Sequence, residues 1–521
     1  MTVDVESTKA PATRSRVALI ALAVIAAGVW IGLARLAVAF WRSSLDWQYV
    51  AEQSRVNAPW YYRLAGVWGG MEGSLLLFTG IVGVVALLAA RRAGDGARWG
   101  AVTTMTTLVV TNFALASPFR RLDVPVTDGF GLNPILEHPA MAIHPPLLYA
   151  GLAASGGAAL AAIGAVEPWM AARRWLLASI ALLIAAMSLG SGWSYMEQGW
   201  GGYWAWDPVE NTSLLVWMAA LVAVHAAPRA RPAVALASCL APWVLAVLGG
   251  ALVRSGRTPS VHGFAEQLAV GWTLFGLAVA TGAAFGYIVR RRWDQAERAA
   301  STDPRRVMVL LMTIAIVIVL VGTITPVLHD LFGGRAAAVG GEFYSRTVGP
   351  LAVGAVPFLV LQLRRPMCWS TIGHSGVLVL LAGIGLSTFD DVTSAGVTQG
   401  ETLRVAGVDV RNDGITVSDG PRQGTEAVTA SLTVGGRTMH PRIVVYPDRG
   451  GRLAEVAVHT GVFTDVHATL LDATDDGTVV VTIHRRHGMW LVWLGALVVT
   501  IATLAGARSP RPPGPTRSTR A

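Results

Sequence analysis

Runs of 17 or more mostly apolar residues recur from one end of the chain to the other, at 17–40, 72–90, 99–117, 147–165, 174–190, 211–227, 233–253, 269–289, 307–328, 347–363, 370–389 and 489–506. A helix rising 1.5 Å per residue needs about 20 apolar residues to cross a bilayer. The pattern therefore predicts an all-α polytopic membrane protein with about 12 transmembrane helices. Composition agrees: only 14% of the 521 residues are charged, against about 25% in a typical soluble domain. The net charge of +9 does not call for nucleic acid, because the arginines cluster in short loops where they set topology.

Those loops alternate. "RRAGDGAR" (91–98), "AARR" (171–174), "PRARP" (228–232), "RRRWDQAERAASTDPRR" (290–306), "RRP" (364–366) and the tail from 508 fall on one side. The positive-inside rule makes that side the cytoplasm, with both termini inside. The first run reads as a retained anchor in the plasma (inner) membrane, although Ala37-Val38-Ala39 resembles a cleavage site. Segment 390–488 differs in kind: apolar and polar residues alternate between Gly/Asp turns, as in "EAVTASLTVGGRTMHPRIVVYP". It predicts a small all-β extracytoplasmic domain before the last helix. The expected organisation is a cytoplasmic tail (1–16), a transmembrane domain (17–389), the β domain (390–488), the last helix (489–506) and a second tail (507–521). The two cysteines, Cys239 and Cys368, form no CxxC, so no disulfide framework or thiol relay is indicated.

"WGGYWAWDPVEN" (200–211) lies outside in this topology, where a membrane helix begins. An interfacial aromatic belt explains some of it, and Asp207-Pro208 with Glu210 reads as a helix start. The density of Trp200, Trp204 and Trp206 on a frame of Gly199, Gly201 and Gly202 also suits a large flat apolar ligand, such as a porphyrin or a quinone.

An iron porphyrin needs axial ligands, and imidazole is the usual one. His225 follows Asn211 on one predicted helix, and His374 precedes Phe389 by a similar interval on a helix of opposite direction. Both are then ~21–22 Å from the outer boundary. Two ionisable groups at one depth mark a functional site; a bis-His haem is the favoured reading over packed polar residues or a proton relay. His144, in "AIHPPLLY", and His262, in a loop after Arg254 and Arg257, share the level of the tryptophans. They are candidate iron ligands for a porphyrin on that platform, with the arginines as partners for its propionates; two unrelated loop histidines is the rival reading. His138 and His329 sit in outer loops. The five histidines of 390–488 (His440, His459, His467, His484 and His487) read as surface residues.

These residues carry a resemblance. "WGGYWAWDPVENTSLLVW" resembles the tryptophan-rich WWD signature of haem-handling proteins. "NAPWYYRLAGVWGGMEGSLLLF" (57–78), "GFGLNPILEHPAMAIHPPLLYAG" (129–151), "LVRSGRTPSVHGFAEQ" (252–267), "GEFYSRTVGPLAV" (341–353) and "IGHSGVLVLLAGI" (372–384) are similar, in order, to the CcmF family, the haem lyase of the cytochrome c maturation system. The likeness spans roughly residues 45–390 and continues weakly to the last helix. It implies that His144 and His262 ligate a transient substrate haem at a platform of Trp200, Gly201, Gly202, Tyr203, Trp204, Trp206 and Asp207, with Arg254 beside it. It implies that His225 and His374 hold a resident haem b. The implied reaction adds two CxxCH thiols of apocytochrome c across the haem vinyl groups, inside a multi-protein complex with a haem chaperone and a thiol-presenting partner. Met71 stands where family members often carry His, and the chain is shorter than typical members, which touches partner contacts more than the four histidines.

Rival classes remain at this stage. A haem transporter without attachment chemistry would use the buried histidines as a waypoint. The other WWD system, a single complex that exports and attaches haem, fits the "HPPLLY" context less well. A quinone-reactive respiratory subunit explains the aromatics and the buried histidines but not the outer pair.

Overall fold

The computed structural model describes residues 9–124, 126–258, 260, 267–293, 305–333, 339–447 and 451–509. Among them, twelve long helices stand out: α1 (Lys9–Trp41), α2 (Met71–Ala90), α3 (Asp95–Val110), α4 (His144–Ala162), α5 (Pro168–Glu197), α6 (Pro208–Ala226), α7 (Pro232–Arg254), α8 (Leu268–Arg291), α9 (Arg305–Leu331), α10 (Gly341–Leu363), α11 (Trp369–Leu386) and α12 (Met489–Arg508). Ten are long and apolar enough to cross a membrane, two fewer than the apolar runs suggest. The exceptions have local causes. α3 is threonine-rich and gives way to a π-helical turn, Thr111–Leu115. α4 is diluted by glycine and alanine, in "AGLAASGGAALAA".

Small residues let helices distant in sequence meet. A Cβ at Gly495 would run into the Leu380 backbone nitrogen, and one at Gly383 would stand 2.6 Å from that of Val492. Close backbone approach of this kind is how helices associate in lipid, where burial offers little driving force. It seats α12 on α11, so the segment between them starts and returns at the same end of the bundle.

That segment is a β sandwich. Strands β1 (Asp391–Val397), β8 (Ala457–His459), β9 (Thr464–Ala473) and β10 (Val479–His487) form a sheet in the order β1-β10-β9-β8. Strands β2 (Thr402–Val405), β3 (Val408–Asp419), β4 (Glu426–Val434), β6 (Arg442–Tyr446) and β7 (Gly451–Glu455) form the second in that order, and β5 (Arg437–Met439) adds to β4. Alternation supplies the core: Val481, Ile483 and Leu470 of one sheet bury against Val410, Leu432 and Val434 of the other.

The opposite face of β9 and β10 corrects one expectation. His467 and His484 are not surface residues: they face each other across the ladder and are 0% and 8% exposed. The helical part covers them. The Tyr195 ring lies 4.2 Å from that of His467, and Gly201 lies against the His484 ring, with room for no more than a hydrogen: a Cβ would come within 3.0 Å. Thr469 donates to the Gly199 carbonyl at 3.1 Å, and the Tyr195 hydroxyl donates to Asp465 at 2.8 Å. On another side, Arg422, in the β3–β4 turn, donates to the Leu132 carbonyl (2.5 Å) and pairs with Glu137 (3.0 Å). The β domain thus grips both the segment leading into α4 and the segment between α5 and α6.

Candidate functional site

The stretch from Gly199 to Asp207 is held by its own chemistry. Gly201 takes a left-handed φ of +67°, which glycine adopts at no steric cost. Gly202 leaves room for the Trp200 ring, into which a Cβ would run. Trp206 has a φ of +57°, a conformation rare for a bulky residue. Several bonds maintain it. Its ring stacks on Tyr344 of α10 at 5.1 Å and 15°, its indole N–H donates to Ser345 Oγ at 3.0 Å, and its carbonyl accepts from Asn211 Nδ2 at 3.0 Å. Asp207 caps α6, accepting from the Val209 backbone at 2.8 Å, while Glu210 Oε2 accepts from the backbone of Ala205 (2.9 Å) and Asp207 (3.1 Å). This reciprocal capping box fixes the angle at which the tryptophan segment enters the helix. Tyr203, whose hydroxyl is 2.9 Å from Ser387 Oγ, ties the segment to the end of α11; burial raises it above the usual phenol range.

The tryptophans then divide. Trp200 and Trp204 line a cavity together with His144, Trp193 and Glu210. Trp206 is turned away from it, 6.0 Å from Trp204 and edge-on to it. A second cavity contains Trp68, Gly69, Gly70, Tyr149 and Arg254, and shares His144, Leu148, Trp193, Val209 and Ser213 with the first. The two are halves of one cleft with His144 between them. They hold about 730 and 900 Å³ of open space, mouths included, within the ~300–1,000 Å³ range of pockets for organic ligands.

His144 opens α4, and its Nδ1 lies 2.8 Å from the Ala186 carbonyl. A carbonyl only accepts, so Nδ1 carries the proton and the lone pair is on Nε2, the form in which imidazole ligates a metal. His138 stacks on Trp193 at 5.8 Å and 9°, while His144 meets the same ring edge-on at 6.2 Å. Burial lowers the pKa of His138. His262 lies outside the described residues.

His225 and His374 occupy the far ends of α6 and α11, about 27 Å along α6 from its cap at Asp207. Their rings are 6.0 Å apart at 73°. Each Nδ1 donates to the carbonyl four residues earlier, His225 to Leu221 at 2.7 Å and His374 to Ser370 at 2.6 Å. Both lone pairs are then on Nε2. A metal held by two imidazoles at ~2 Å each sets ring centroids roughly 6 Å apart, so this donor set fits bis-imidazole ligation of iron.

Residues 68–255, which contain the cleft, match the family model described as Cytochrome C assembly protein. The chain is 30% identical to the cytochrome c-type biogenesis protein ccl1 of Rhodobacter capsulatus, over 86% of this chain and 84% of that one. It is 30% identical to the probable cytochrome c-type biogenesis protein NrfE of Escherichia coli (85% and 87%), and 26% identical to CcmF of Pseudomonas aeruginosa (87% and 85%). The chain belongs to the CcmF family of cytochrome c-type biogenesis proteins. A solved structure described as "Cytochrome c Heme Lyase CcmF" shares its fold, with a TM-score of 0.69 and 18% identity over 96% of both chains.

Three site elements of this CcmF-family chain escape a reading by motif. Trp193 packs against His138 and His144. Trp68 donates its indole N–H to the Met141 carbonyl at 2.8 Å, just before His144. Glu137 collects Arg55 and Arg422. The signal for Trp68 is present: Trp68-Gly69-Gly70 repeats the Trp200-Gly201-Gly202 pattern. Met71 is buried in the helical core.

Proposed function

We propose that this chain is a haem lyase of cytochrome c biogenesis, attaching haem to the CxxCH cysteines of apocytochrome c at the outer face of the plasma membrane. The observation that carries this reading is the convergence of His144, Trp193, Trp200 and Trp204 on one cleft at the end of the bundle gripped by the β domain. Haem is the substrate there. Trp200 and Trp204 stack on its faces or edges, and Nε2 of His144 holds its iron. His262 supplies the second ligand until the substrate's own CxxCH histidine displaces one of them. Trp206, Asp207, Gly201, Gly202 and Tyr203 hold the platform rather than the ring. Each thiol S–H adds across one vinyl C=C, sulfur to one carbon and hydrogen to the other, with no net oxidation. The protein's contribution is positioning, which alone removes a large part of a barrier.

His225 and His374 hold a resident haem b at the other end of the bundle. That group, when bound, supplies one-electron redox chemistry. The two Nδ1–H bonds to backbone carbonyls keep both rings in the ligating tautomer. In this reading that end faces the cytoplasm, with both termini, and the platform and the β domain face outside, which the positive-inside rule applied to the arginine-rich loops supports. A haem chaperone delivers haem, and a thiol-presenting partner holds the apocytochrome.

The test is attachment in cells lacking a lyase of their own, scored as covalent haem on a CxxCH reporter. Wild type labels the reporter; His144→Ala and Trp204→Ala do not. Haem that reaches the outer face without being joined to the reporter would instead make the chain a transporter.

A further inference from the structure

We infer that the loop between β8 and β9, with Val462 and Phe463 at its tip, is seated in the lipid of the leaflet next to the β domain. The bilayer surface is then a third support of that domain, beside its contacts with Leu132 and Glu137 and with the segment between α5 and α6. The inference goes beyond the lyase reading and holds whatever the cleft attaches.

Segment 390–488 contains two aromatic residues, Tyr446 and Phe463. Tyr446 is 6% exposed and lies under the Arg422 guanidinium. Phe463 is 77% exposed, and Val462 beside it is 72% exposed. A folded domain ordinarily buries phenylalanine, and large apolar side chains left open together mark a surface that meets something other than water. The other large apolar residues exposed on the sandwich strands, such as Leu403, Val417 and Leu471, are aliphatic and stand singly in the sequence.

The sheet register says where this tip lies. Thr464, at the start of β9, pairs with His487, the last residue of β10 and the one before the Gly488 that caps α12. The Gly488 N–H donates to the Phe463 carbonyl at 3.1 Å. On the other side of β10, Asp391 pairs with Arg485, which sets the exposed Phe389 at the same end of the sheet. Neighbouring strands are about 4.8 Å apart, so Phe463 and Phe389 flank the point where α12 begins. Trp490, in the first turn of that helix, is exposed as well. Both α11 and α12 are long and apolar enough to cross a membrane. Their ends on this side mark its surface, and exposed aromatic rings at that level are how membrane proteins meet lipid headgroups.

The occupant is lipid rather than a protein because the patch is continuous with two spans at the level where they enter the bilayer. Lipid touches it without a separate binding event. The loop backbone is suited to that environment: the Gly461 N–H donates to Asp465 at 3.0 Å, and the Phe463 carbonyl is taken by Gly488, so these groups need no water. The opposite end of the same hairpin, "TDDGT" (474–478), is polar and, across the ten residues of β9, about 30 Å away.

The experiment places an environment-sensitive fluorophore on Phe463→Cys of the full chain, in a Cys368→Ser background, in phosphatidylcholine nanodiscs. Val462→Cys repeats it at a side chain that leaves the Gly488 bond alone, and Asp475→Cys, in the polar turn, is the reference. At 463 and 462 the emission is expected to shift to the blue of the reference. It should be quenched by lipid carrying a spin label near the headgroup and hardly by a water-soluble quencher, while the reference shows the reverse. Labels at 463 and 462 that respond to the water-soluble quencher as the reference does would overturn the inference. So would labels shielded from both quenchers, because a protein surface would then cover the tip.

Discussion

The two histidine sites of this protein are built in opposite ways. The His225/His374 pair takes one side chain from each of two regular helices, and each ring donates to a carbonyl of its own helix, one turn back. The outer cleft draws on α4, α5, α6, α7 and the loops before them, and its geometry depends on bonds made far from it. Trp206 is anchored on α10, Tyr203 on α11, and the loop before His144 on Arg422 of the β domain. The lesson is one of robustness. A site carried by helix geometry tolerates changes in its surroundings, and a site assembled from loops inherits the stability of whatever braces them.

Three substitutions or conditions sharpen that contrast. The largest effect is expected from Arg422→Ala. Removing one partner of a buried ion pair costs ~3–5 kcal/mol, and the retained contact of Arg55 with Glu137 at 3.4 Å holds the loss to about 3 kcal/mol. Differential scanning calorimetry should show the β domain unfolding earlier, attachment should fall severely, and the His225/His374 haem should remain. Next is Gly202→Ala, whose Cβ meets the Trp200 ring. The ring must move out of the cleft, and attachment is expected to drop roughly tenfold, the scale of one lost stacking contact, with little change in melting temperature. If the melting temperature falls instead by several degrees, Gly202 serves the fold and not the platform.

The smallest effect is in pH. Burial first, then Arg486 and His484, push His467 down to about 3. Its folded value lies below the unfolded one of ~6.5, so the unfolded chain binds the extra proton. The stability from keeping it neutral is complete above pH ~6.5 and is lost as pH falls toward about 3. The melting temperature should decline as pH falls from about 7 to about 5, and His467→Leu should flatten that decline. An unchanged slope in the variant would place the acid sensitivity elsewhere.

Much of the architecture was legible because lipid and helix geometry leave few options. Each apolar run corresponds to a helix, and the constant rise of a helix per residue brings His225 and His374 to one level. The helix cap at Asp207 and Glu210 follows from residue types at capping-box spacing. What escaped is long-range. Alternation along β9 and β10 tells that His467 and His484 share a face, but not that Tyr195 and Gly201 cover it. Nor does spacing tell that Trp206 turns onto Tyr344, on a helix much later in the chain, while Trp204 faces the cleft. The pairing of Glu137 with Arg422 joins the loop before α4 to the β domain, and no local pattern announces it.

The central claim is that the chain holds two separable haem sites, one resident and one for the substrate. The most direct test is a pyridine haemochrome assay with reduced-minus-oxidised spectra on purified wild type, His225→Ala, His374→Ala and His144→Ala. The account predicts a b-type signal that is lost in the first two variants and kept in the third, while His144→Ala attaches no haem to a CxxCH reporter. A wild-type protein without haem after expression with ample haem supply, or a signal that survives both His225→Ala and His374→Ala, would contradict it.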